Sequence, residues 1–374
     1  MTKTNGEYKG HCLTVPYPIQ GHINPMLQFA KRLSHKHLKI TFALTKFLFK
    51  TTTHLSGGES ISIRVISDGF DNGGRAQAKS FEEYQIRFMQ TGQQTLSELL
   101  HDLAISGCNV DCVVYDPFIP WVLDVAKGFG LNTAVFFKQS CAVDNIYYQV
   151  YSGELKPPVL GSEPVVVPGL PPMRPEEMPS FIYVHGSYPA AFKMVADQFR
   201  NVDKADWIFV NTFLQVGRGG TASEEAMLPN NFSNETLEKG LIVSWSSQLE
   251  VLAHEAIGCF ITHCGWNSTL EGLSLGVPMV AMPQWTDQST NAKFVEEVWG
   301  VGIRAIVDDK GLVTKEEIVR CIKHVMDSDD GKKIRVNGIK WKEMAREVVD
   351  EGRSSDRNIE EFVSILDKSF QKTN

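Results

Sequence analysis

Residues 245–288 read WSSQLEVLAHEAIGCFITHCGWNSTLEGLSLGVPMVAMPQWTDQ, and the order of residue types in this stretch decides the fold. An apolar run, GCFITHCG, ends in a glycine turn and leads into a helix-forming segment from about Ser268. A second apolar run, VPMVAMP, follows. Strand, glycine turn, helix and strand in succession make a parallel α/β unit. Backbone N–H groups near Gly265 to Ser268 would open the helix, where the helix dipole favours an anion. Asn267 and Ser268 add side-chain donors, and His263 can donate to the same phosphates. Glu271 lies one turn into the helix and can accept from ribose hydroxyls. Trp245 offers a flat face for a base. Asp287 and Gln288 supply the acceptors and donors that sugar hydroxyls need. Any one of these residues also fits a plain βα unit with an ordinary cap. The whole string fits that reading poorly.

The same alternation extends in both directions. Upstream, LTVP (13–16), KITFAL (39–44), ISIRVI (61–66), CVVYD (112–116), NTAVFF (132–137) and WIFVN (207–211) read as strands. Ile23, Met26, Leu27, Ala30 and Leu33 recur at helical spacing, and Phe81 to Leu103 is one long amphipathic helix. Eight prolines between Pro157 and Pro179 predict a stiff surface loop. A helix (189–202) follows it. Downstream, helices are expected from about Asp287 to Trp299, then over 315–326, 333–349 and 356–369, with VGIRAIV as a further strand. The fold class is therefore α/β, in two units. Their bounds are 1–213, a junction at 214–240 marked by Gly217, Gly219 and Gly220, and 241–374.

Two further motifs carry chemistry. In PYPIQGHINPM, His22 follows Gly21 at a strand-to-helix turn, with Pro25 marking the first helical turn. The positive end of the helix dipole disfavours imidazolium there and keeps the ring available as a base. A turn-capping histidine is the competing reading. In VVYDPF, Asp116 ends an apolar strand, where an unpaired carboxylate is costly. It either orients His22 from a neighbouring strand or forms a turn before Pro117.

Composition narrows the partners. The chain has 374 residues, with a formal charge of −7 and 43% hydrophobic residues, which argues against nucleic acid or an anionic membrane as the main partner. No apolar leader and no run of about 18 apolar residues is present, so neither a signal peptide nor a membrane span is expected. Seven cysteines, an odd number lying mostly in apolar runs, read as reduced, buried thiols of a cytoplasmic protein. Cys108 and Cys112 near His101 lack a second ligand pair at zinc spacing, so no metal is expected. No GxGxxG opens a helix after a strand, which disfavours a nucleotide-dependent oxidoreductase.

The 44-residue stretch resembles the donor-binding signature of plant family 1 UDP-glycosyltransferases, nearly position for position. PYPIQGHINPM and YDPF resemble the same family's catalytic regions. The resemblance implies a GT-B fold, with two Rossmann-like domains facing a cleft, acceptor in the first and UDP-sugar in the second. It implies His22 as general base and Asp116 as its partner in a single inverting displacement. Trp245 would stack on uracil, with contacts from Ser246 and Gln248. Glu271 would hold the ribose. His263, Gly265, Asn267 and Ser268 would hold the diphosphate, and Trp266, Asp287 and Gln288 would meet the sugar. Glutamine at 288 resembles the glucose-using members. UDP-glucose would be a co-substrate, with no cofactor, and the acceptor would be a phenol, carboxylic acid or terpenoid.

One region departs from the family. WIFVN should lead through a linker to a strand, a helix and a strand with a motif like GSVVYVSFGS, and this chain has none. NTFLQ passes through VGRGG directly to ASEEAMLPNNF. The second domain is expected to lack its first strand–helix–strand unit. The competing functional reading is an impaired relative that only binds UDP or a small acceptor.

Overall fold

The computed structural model describes residues 8–51, 61–184, 186–212 and 246–373, with only the main chain for 369–373. The predicted junction, the strand at 241–245 and Trp245 lie outside the described residues.

Six strands form the first sheet: β1 (His11–Val15), β2 (Lys39–Thr45), β3 (Ile61–Ile66), β4 (Cys112–Tyr115), β5 (Asn132–Phe137) and β6 (Trp207–Val210). All pairs are parallel, in the order β3-β2-β1-β4-β5-β6. The helices between them are α1 (Gln20–His35), α2 (Lys46–Thr51), α3 (Phe81–Ile105), α4 (Trp121–Gly128), α5 (Cys141–Tyr151), α6 (Ser180–Tyr183) and α7 (Pro189–Asp197). Side chains alternate across a strand, so a sheet buried on both faces needs apolar residues at every position. CVVY meets that need, and HCLTV meets it except at His11 and Thr14, where the buried imidazole bonds Thr41 Oγ1. Leu13, Val15, Val113 and Tyr115 join one core, and Cys12, Cys112 and Val114 join the other.

Strand order reverses between β1 and β4. A crevice at the carboxyl ends of the strands is expected at that switch point.

The second sheet has three described strands, β7 (Phe260–Thr262), β8 (Met279–Ala281) and β9 (Gly302–Arg304), also parallel. Its helices are α8 (Gln248–Ala253), α9 (Trp266–Leu275), α10 (Gln288–Lys293), α11 (Lys315–Asp327) and α12 (Asp329–Val349), and α13 (Ser354–Thr373) follows. The helix predicted from 287 to 299 is α10 continued by a π-helical turn, Phe294–Val298.

Three expectations need correction. First, α13 does not pack with the second unit alone. Its stripe of Ile359, Phe362, Val363 and Leu366 joins the core of the first sheet, with Phe362 edge-on to Trp207 and Phe209. Lys36, which caps the carboxyl end of α1, pairs with Asp356 and Glu360. This helix therefore lies against the first sheet, whose apolar face takes that stripe. Second, the proline-rich segment is not merely a surface loop. Val167, Met173 and Met178 are buried, and Glu177 pairs with Lys293 of α10 at 3.0 Å. Third, the cysteines are unpaired as expected, but Cys141 is exposed at the start of α5.

Candidate active site

His22 and Asp116 follow β1 and β4, which are adjacent and parallel. His22 Nδ1 lies 2.8 Å from Asp116 Oδ2, and both side chains are buried. A carboxylate can only accept, so Nδ1 donates and Nε2 is left as the basic nitrogen. Asp116 Oδ1 accepts from the Phe118 N–H at 2.9 Å. Burial depresses the imidazole to about 4, against the pull of Asp116. Burial alone would raise the carboxyl, but His22, Lys138 and the Phe118 N–H hold it at about 2. The rings of Tyr17 and Phe118 stand 5.2 and 4.9 Å from that of His22. Tyr17 also lines a cavity of about 230 Å³ with Phe47, Asp68, Arg75 and Tyr84.

Pro25 lies in the second turn of α1, not the first. Proline has no N–H, so the carbonyl four residues earlier loses its helical donor. That carbonyl belongs to Gly21, and Asn267 of the second unit donates to it at 3.0 Å. The turn that carries His22 is thus tied to the start of α9.

Gly265 caps α9 and Cys264 precedes it at φ 65°. A buried, non-glycine residue in the left-handed region is strained and persists only where its surroundings fix it. Here the Cys264 N–H donates to Thr262 Oγ1 and its carbonyl accepts from Asn291 Nδ2. A Cβ at Gly265 would stand 2.5 Å from His263 Nε2, so only glycine lets the imidazole lie over the helix start. Gln248 Nε2 donates to Ser268 Oγ at 3.1 Å and Glu271 Oε2 at 2.7 Å. Ser246 is exposed beside them.

Two expected sugar contacts are differently committed. The Trp266 indole turns into the core of the second unit and donates to the Asn211 carbonyl at 3.1 Å. Gln288 Oε1 accepts the N–H groups of Gln284 and Trp285, and no described residue accepts from its amide nitrogen. Asp287 accepts from Thr286 Oγ1 and Asn291 Nδ2. Asn267, expected at the diphosphate, spends its amide nitrogen on Gly21.

The two units meet through the carboxyl ends of both sheets. Ser140, after β5, donates to Asn291 Oδ1 at 3.0 Å. Ser180 and Thr286 exchange two bonds, and Thr290 donates to the Glu177 carbonyl. Lys138, Ser140, Asn291 and Glu177 were missed by the reading of sequence. Lys138 carries a signal that could have found it: a charge closing the apolar strand NTAVFF, just as Asp116 closes CVVY.

Known proteins fit this geometry. A family profile described as UDP-glucoronosyl and UDP-glucosyl transferase matches residues 222–337. UDP-glycosyltransferase 74F2 of Arabidopsis thaliana is 38% identical over 449 aligned positions, which take in 95% of this chain and 98% of that one. The chain belongs to the plant UDP-glycosyltransferases. Flavonol 7-O-beta-glucosyltransferase UGT74F1 of Arabidopsis thaliana is equally similar, at 38% over 96% of this chain and 98% of that one. Os79 from O. sativa, solved in complex with UDP, is 32% identical with a TM-score of 0.86, over 95% of this chain and 100% of that one. The fold is therefore GT-B, and the protein is a hexosyltransferase of this family, with a UDP-sugar donor and a small-molecule acceptor. The 449-position alignment is longer than the 374-residue chain, so the relative carries internal residues with no counterpart here. Among the described residues no helix is long and apolar enough to cross a membrane.

Proposed function

We propose that this UDP-glycosyltransferase moves glucose from UDP-glucose to a hydroxyl or carboxyl group of a small plant metabolite, by one inverting displacement with His22 as general base. The observation that carries the reading is the buried His22–Asp116 pair, joined through Gly21 and Asn267 to the helix start that would face a diphosphate. His22 Nε2 takes the acceptor proton, the acceptor oxygen attacks the anomeric carbon, and the bond to UDP breaks. Asp116 steadies the imidazolium as it forms. Negative charge gathers on the leaving phosphate, where the N–H groups of α9 and His263 stabilise it without a metal or cofactor. Incubation with UDP-glucose, UDP-galactose and a panel of phenols, terpenoid alcohols and acids, read by mass spectrometry, tests the reading. Exclusive use of UDP-galactose would remove the glucose assignment.

Gly265→Ala tests the diphosphate site. The new methyl displaces the His263 imidazole without touching the core. UDP affinity, measured by calorimetry, is expected to fall roughly tenfold, the value of one hydrogen bond to a charged group. The melting temperature should hardly move.

Gln288→Glu tests the sugar contact. Glutamate keeps an acceptor for the Gln284 and Trp285 N–H groups but loses the amide donors. Affinity for UDP-glucose should drop by about tenfold or more while affinity for UDP stays unchanged. Equal losses for both would mean that Gln288 only shapes its loop.

A second reading, an impaired relative that binds without efficient turnover, is favoured by the gapped alignment, in which the relative carries internal residues with no counterpart here. Loss of internal strands from a parallel sheet exposes unpaired edges, which invites association. The chain is expected to melt below about 45 °C, under the usual mesophile range, and to aggregate on heating. Calorimetry with light scattering decides it. A cooperative, reversible melt above that range with turnover equal to a full-length relative would overturn this reading.

A further inference from the structure

β5 ends on a charge, as β4 does. Lys138 follows Phe137, and its side chain is only 3% exposed. Its ammonium lies 3.5 Å from Asp116 Oδ1 and 3.7 Å from the centre of the Phe118 ring. No described residue completes a hydrogen bond with it. Two more carboxylates act on it from other elements, Asp144 on α5 and Asp287 at the start of α10. Both Asp144 oxygens are buried and unbonded, and burial pushes that carboxyl up to about 7.

Packing does not explain this lysine. A buried ion pair seldom stabilises more than an apolar side chain of equal volume, and methionine would fill the same space. The consequence of the charge falls on Asp116. One carboxylate oxygen takes His22 Nδ1. The other takes the Phe118 N–H and faces Lys138. His22 is thus surrounded by the neutral Tyr17 phenol after β1, the Asp116 carboxylate after β4 and the Lys138 ammonium after β5. The Asp287 carboxylate acts on Lys138 from the second unit.

We propose that Lys138 is a positioning residue of the His22–Asp116 pair: it holds the outer oxygen of Asp116, fixes the inner one on Nδ1, and keeps His22 unprotonated until the acceptor supplies its proton. A lone His–Asp pair would gain imidazolium as the pH falls through the ordinary histidine range. The ammonium opposes that gain by repelling a second positive charge across Asp116. Burial and Lys138 then act together to hold the ring neutral. The proposal rests on the reading of His22 as the base, and its test separates the two.

The full chain is labelled with ¹⁵N at histidine, and the His22 signal is identified by its loss in His22→Ala. Its titration is followed in the native protein, in Lys138→Met and in Lys138→Arg, and the acid limb of the transfer rate is measured in parallel. Lys138→Met is expected to raise the His22 midpoint by about one unit, a tenfold gain in proton affinity, and Lys138→Arg to restore it. The acid limb should move by the same amount. An unchanged midpoint in Lys138→Met would overturn the proposal. So would a native midpoint at or above the ordinary histidine value of about 6.5. The second result needs no variant and stands if Lys138→Met fails to fold. A shifted midpoint with an unmoved acid limb would support the role of Lys138 and count against His22 as the base.

Discussion

Asp116→Asn is expected to lower turnover by a factor on the order of 10³ to 10⁴, the largest loss of any conservative change in this chain. The asparagine oxygen can still accept the Phe118 N–H. Its amide nitrogen then faces His22 Nδ1 and donates to it. The imidazole proton moves to Nε2, and the nitrogen that should receive the acceptor proton already carries one. The imidazolium also loses its counter-charge in a buried site. Steady-state rates with a phenol acceptor measure the effect, and calorimetric UDP binding shows whether the donor site is intact. A loss under about tenfold with UDP binding retained would mean that tautomer control is not the function of Asp116.

His22→Ala should separate two kinds of acceptor. An alcohol must lose its proton as it attacks, so transfer to it should fall by roughly 10³-fold, within the range of general base catalysis. A carboxylic acid is already ionised at neutral pH, since its pKa lies near 4. Transfer to it needs no base and should fall by about tenfold, from lost packing against Tyr17 and Phe118. Parallel assays on one phenol and one benzoic acid decide the matter. Equal losses would contradict the base role. The low pKa of His22 adds a pH signature. Transfer to alcohols should persist down to about pH 4, where the buried ring gains its proton. The unfolded chain takes up that proton near the ordinary value of about 6.5. Keeping His22 neutral therefore contributes stability in full above that value, and the contribution is lost as the pH falls from there toward 4.

Much of this was legible in the sequence because it rests on local patterns. β-Branched and apolar runs gave ISIRVI and NTAVFF their strand bounds to the residue. The glycine turn before WNST placed the start of α9 within two residues. His22 and Asp116 could be paired because each closes a strand of a parallel sheet, and such closings collect at one edge. The side-chain commitments of the second unit were less legible. Trp266 and Gln288 sit where the motif predicts, yet one bonds to Asn211 and the other to its own loop. The first partner is fixed by how two separate units meet and the second by the closing of an irregular loop, and no local period encodes either. The left-handed backbone at Cys264 and Thr286 was hidden because neither residue type signals it. The course of the proline-rich segment depended on the distant Lys293 and Thr286.

The packing of α13 has a consequence for the order of events during synthesis. The first sheet is encoded by residues 11–210, but Ile359, Phe362, Val363 and Leu366 are part of its core. Phe29, Phe136, Trp207 and Phe209 emerge from the ribosome well before the side chains that will cover them. The nascent N-terminal half must keep this apolar face sheltered while the whole second unit is translated. Its sheet becomes complete only when the chain has returned to it, so the two units mature together and not in sequence.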